Sequence, residues 1–112
     1  MTHYLCELYT PKPAWLALGP DARRQFFDRI GAGMAGLTEA GIEAVALGPN
    51  DPAMTHGTAH GFFAIWRCPD AAALNALVAG IAATGWHDYF DTVNAGGKGG
   101  DLPAHLAQLA GA

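Results

Sequence analysis

A chain of 112 residues with formal net charge −4 has room for one hydrophobic core. Its composition, 51% hydrophobic and 14% charged, excludes a disordered polymer, and six basic residues against ten acidic ones leave no basic stripe for a nucleic-acid backbone. No apolar run is long enough to span a bilayer, and the Met1-Thr2-His3-Tyr4 start has no signal-peptide character, so the chain reads as soluble and cytoplasmic, with no membrane partner.

The first element is a strand over His3 to Thr10, stopped by Pro11 and Pro13. A short turn over Trp15 to Leu18 leads to Gly19-Pro20-Asp21, which opens a helix. Phe26, Phe27, Ile30, Met34 and Leu37 give that helix an apolar stripe, and Gly41 ends it. Ile42 to Leu47 reads as a second strand, closed by the turn-forming run Gly48 to Pro52. His60 to Arg67 reads as a third. Asp70 then caps a helix with Leu74, Leu77, Val78 and Ile81 at helical spacing, ending at Gly85. Trp86 to Asn94 is expected to be a fourth strand. The glycines at 96, 97, 99 and 100 read as a hinge before a tail helix over residues 101–110. The expected organisation is one domain over 1–112, with its core in 3–95.

The order β-α-β-β-α-β predicts an α+β, ferredoxin-like fold. The first and third strands then occupy the centre of a four-stranded antiparallel sheet with both helices on one face. The other face is left bare, and its apolar content points to a homodimer through that open face.

The Phe63-Ala64-Ile65-Trp66-Arg67-Cys68-Pro69-Asp70 junction and the Gly85-Trp86-His87-Asp88-Tyr89-Phe90 segment, on this topology, resemble the dimeric α+β barrel superfamily. That superfamily includes antibiotic-biosynthesis monooxygenases, muconolactone isomerase, haem-degrading monooxygenases, polyketide cyclases and several uncharacterised bacterial families, one of which the chain resembles more closely. The resemblance implies a pocket within each subunit, between the sheet and its two helices. In the haem-degrading members a strand Trp, a His near the second helix and an Asn on the first strand work together. Trp66 and His87 resemble two of these, but Glu7 stands where the Asn would be.

The literal G-x-G-x-x-G over Gly31 to Gly36 lies late in a helix rather than after a strand, so it is not a dinucleotide loop. Its small residues read instead as permitting close packing. His56 and His60, with Asp51, have a spacing that could serve a metal only on a helix, and their segment is turn-like. The chain has no serine, and Cys6 and Cys68 lack activating neighbours, which removes the usual nucleophiles.

Glu7, a carboxylate at mid-strand, is expected to be paired, across the strands or the dimer with Arg67 or another cation, to be exposed at a cleft, or to have a shifted pKa. His87, beside aromatic residues, is the leading acid or base, with Glu7 as its proton partner and His60 as a substitute. Tyr9, Phe62, Trp66, Trp86, Tyr89 and Asn94 are candidate walls, with phenol and indole donors orienting the ligand. The function this supports is cofactor-independent acid–base chemistry on a small apolar aromatic or cyclic substrate, of monooxygenase, isomerase, cyclase or lyase type. The rival is a non-catalytic dimeric ligand-binding or interaction module, with haem-binding and metal-binding proteins further behind.

Overall fold

The computed structural model describes residues 1–112. Its elements run β1 (His3–Pro11), α1 (Pro13–Leu16), α2 (Pro20–Glu39), β2 (Glu43–Pro49), β3 (Phe62–Cys68), α3 (Ala71–Ala83), α4 (Trp86–Tyr89), β4 (Phe90–Lys98) and α5 (Leu102–Ala110). The strands form one antiparallel sheet in the order β2-β3-β1-β4, with β1 and β3 central as the ferredoxin-like pattern requires. No helix is long and apolar enough to cross a membrane.

Register decides which side chains share a face. Leu5 stands opposite Trp66, Glu7 opposite Ala64 and Tyr9 opposite Phe62, so these residues look toward the helices together. Leu5, Ala64, Trp66, Cys68, Ile42 and Leu77 make the main core under α3. Trp15, Phe26 and Phe90 make a second core, which Tyr89 and Ile30 extend; it anchors one end of α2 to the sheet. On the other face Cys6, Leu8, Phe63 and Ile65 are only half-buried, and Val93 is half-exposed.

Asp70 and Asp101 each cap a helix through a side-chain oxygen that accepts from the backbone N–H three residues on. Gly85 ends the α3 segment in the left-handed region at φ 83°.

Several local expectations are corrected. The Trp15 turn is a full helical turn, because Pro13 starts it and Trp15 is buried in the second core. Trp86 to Tyr89 is also helical rather than strand. Its aromatics are there for core packing, not for β pairing: Trp86 and Tyr89 both pack on the second core. β4 therefore starts four residues later and takes in the first half of the supposed hinge, with Gly96 paired to Leu5 and Gly97 to Tyr4, while Gly99 and Gly100 lie between β4 and α5. Gly96 is needed there: its φ is +152°, and a Cβ would collide with the Tyr4 carbonyl oxygen. β3 begins at Phe62, so His60 lies in the preceding loop rather than on the strand.

The glycines of α2 do not mark close packing either. A Cβ at Gly31, Gly33 or Gly36 would meet nothing within 4 Å, and the same holds at Gly80 on α3. Gly33 and Gly80 instead border the cavity between sheet and helices.

Candidate active site

Between the sheet and the two long helices lies a cavity of about 240 Å³. Its floor is the inward face of the central strands, carrying Glu7, Tyr9, Ala64 and Trp66. α2 supplies Phe27, Ile30, Met34 and Leu37, α3 supplies Leu77 and Ile81, and Leu47 and Trp86 complete the wall. The lining is overwhelmingly apolar, and Glu7 is the only charged side chain in it.

Glu7 is buried, with 4% of its surface exposed. It is there because alternation along β1 directs residues 5, 7 and 9 inward, and its only side-chain partner is across the sheet. The Trp66 indole N–H donates to Glu7 Oε1 at 2.8 Å, a buried hydrogen bond between neighbouring strands. The second oxygen, Oε2, has no protein partner and opens onto the cavity. Burial raises the Glu7 pKa above the ordinary carboxylate value of 4.5, outweighing the Trp66 hydrogen bond and the more distant pull of His87. Burial, helped by the charge of Glu7, also raises Tyr9, whose phenol therefore keeps its proton at neutral pH.

The ion pair considered for Glu7 does not form. Arg67 lies on the opposite face, bonded to Glu43 at 2.8 Å and placed over the Tyr4 ring. Of the nine residues that sequence reasoning selected, four line the cavity: Glu7, Tyr9, Trp66 and Trp86. His87 is exposed on α4, with its carbonyl accepting from the Lys12 ammonium. His60 is half-buried in the loop before β3; its Nδ1 bonds the Thr58 hydroxyl, and its Nε2 stands 4.0 Å from Asp91. Phe62 stacks on Tyr9 at 5.8 Å without reaching the cavity, and Tyr89 packs edge-on to Phe26 in the second core. Asn94 is exposed on β4 opposite Glu7 in the register. The indole donors are also committed: Trp66 to Glu7, and Trp86 to the Thr92 hydroxyl.

Sequence reasoning assigned Ile30, Met34, Leu37, Leu77 and Ile81 to helix stripes but not to a cavity wall. The signal was present in the two glycines, since Gly33 and Gly80 fall on those stripes three residues after Ile30 and Leu77.

The donor set does not fit a haem. No histidine or cysteine lines the cavity, the Tyr9 phenol there holds its proton, and the Trp66 indole occupies one oxygen of its only carboxylate. Nor do three or more His, Cys, Asp or Glu side chains converge anywhere in the chain, His56 and His60 included.

A family model described as "Family of unknown function (DUF6616)" matches residues 2–112. The chain belongs to that family. No curated protein matches. A solved structure described as "Putative Chlorite dismutase TA0507" superimposes with a TM-score of 0.65 at 16% identity, over 88% of this chain and 43% of that one. The DUF6616 chain thus shares the α+β fold of that protein and spans less than half its length.

Proposed function

We propose that this DUF6616 protein is a small-molecule enzyme that moves a proton on an apolar cyclic substrate, with Glu7 as its acid and base. One observation carries the reading: a buried carboxyl has one oxygen fixed by an indole N–H and the other free toward an apolar cavity. Anchoring Oε1 leaves Oε2 as the site where a proton is held or taken. A raised pKa brings that proton's affinity closer to neutrality, where acid–base catalysis is most effective. In an isomerisation, Glu7 Oε2 would take a proton from a carbon beside a carbonyl, leaving an enolate. The same proton would then return to another carbon of the substrate. The Tyr9 phenol stands two residues along the same face to donate to the developing oxyanion.

His87 and His60 lie outside the cavity and are given no proton in this scheme. The reading also treats residues 1–112 as one unit of a homodimer joined through the open sheet face. Its support is the surface area: 7286 Å², against about 5,800 Å² for a compact monomer of this mass.

The test is deuterium incorporation at the α-carbon of 2-tetralone in D2O, followed by NMR. Wild-type protein is expected to accelerate exchange, and Glu7→Gln to abolish the acceleration. Equal exchange by both proteins would remove Glu7 from the chemistry.

A further inference from the structure

We infer that the cavity is selective for electrically neutral bicyclic molecules carrying a single hydrogen-bond acceptor, and that it excludes anions. The inference deepens the reading of this cavity as a substrate site, and it rests on the lining rather than on any reaction.

The polar groups of the wall can be followed one by one. The Trp66 and Trp86 indoles are taken by Glu7 and Thr92, and the Thr84 hydroxyl donates to the Ile81 carbonyl at 2.6 Å. Glu7 Oε2 and the Tyr9 phenol remain, side by side on β1. A ligand can therefore be addressed at one end only, and everything else it carries must be apolar.

Charge narrows the choice further. None of the six Lys and Arg residues lines the cavity. Arg23 donates to the Trp15 and Leu16 carbonyls, Arg29 lies over Phe26, Arg67 pairs with Glu43, and Lys12 reaches the His87 carbonyl. A carboxylate or phosphate entering the site would lose its water, find no cation and face Glu7. An ammonium would give up its water for one carboxyl whose Oε1 is already tied to the Trp66 indole, with an otherwise apolar wall around it. A ketone meets neither obstacle: it accepts from the Tyr9 phenol and adds no charge.

Volume sets the size. An apolar cavity of roughly 150 Å³ holds one benzene ring. The cleft here, about 240 Å³ and open to solvent beside Phe27 and Leu47, takes two fused rings within its walls.

The experiment is calorimetric titration of the full chain, at one pH near 7, with four compounds of matched shape: tetralin, 2-tetralone, tetralin-2-carboxylate and 2-aminotetralin. The ketone is expected to bind at least about tenfold tighter than the carboxylate and the amine, with tetralin between. Gly80→Leu, which fills open space at the wall, is expected to abolish ketone binding. The inference is overturned if the carboxylate matches the ketone, if the amine binds tightest, if none of the four binds, or if Gly80→Leu binds like wild type. Neutral selectivity without deuterium exchange would sustain it while sinking the proton-transfer reading. Exchange with no discrimination against the carboxylate would do the reverse.

Discussion

Glu7 is buried at mid-strand with the Trp66 indole on one oxygen and the cavity at the other, and burial raises its carboxyl above the ordinary range. A carboxylate at mid-strand among Leu5, Tyr9 and the aromatics of β3 is an anomaly that sequence alone exposes, and its inward direction follows from alternation. Its partner was not legible. Arg67 and Trp66 are adjacent in sequence and lie on opposite faces, and only the register of β1 against β3 decides between them. The histidines failed for a related reason: proton affinity near neutrality is a property of the residue, whereas access to the cavity depends on backbone path. Because Glu7 binds its proton more tightly folded than unfolded, stability is highest with the carboxyl protonated. It falls as pH rises from the ordinary carboxylate range through the raised folded value. Chemical denaturation from pH 4.5 to 8 should show this decline in wild type, and Glu7→Gln should flatten it.

Among the elements, those with strong periodicity and caps were readable: β1, α2, the Asp70-capped α3 and the Asp101-capped α5. The misreadings cluster where a residue type has two physical uses. Glycine usually interrupts a strand, yet in β4 it lets the backbone come close to Tyr4 and Leu5, so a hinge-like composition is a paired edge strand. Aromatics favour strands, yet Trp86 and Tyr89 serve core packing from a single helical turn. Gly96→Ala is expected to destabilise by about 2–4 kcal/mol, through positive-φ strain and collision with the Tyr4 carbonyl. Equilibrium unfolding in urea checks it; a change under about 0.5 kcal/mol would mean that β4 can leave β1 at little cost.

At the scale of the whole molecule, the topology could be derived because split βαβ order and crossover handedness leave few arrangements. The cavity could not, since apolar stripes look the same whether they meet or stand apart. The molecule is a slab of 50 × 36 × 19 Å with only ten buried residues. α5 shows Leu102, Leu106 and Leu109 to solvent, each more than half-exposed. If two sheets cover each other, Ile65→Glu should place a charge in the joint and halve the mass seen by sedimentation equilibrium. Wild type sedimenting as a monomer would refute the pairing. The cavity lies where the two long helices and the sheet would otherwise close a single core. A bound molecule of the right size would then act as a missing core side chain, touching α2, α3 and β1 at once. By mass action, at a hundred times its dissociation constant such a ligand adds about 2.7 kcal/mol to folding, so resistance to heat would report occupancy before any reaction is known.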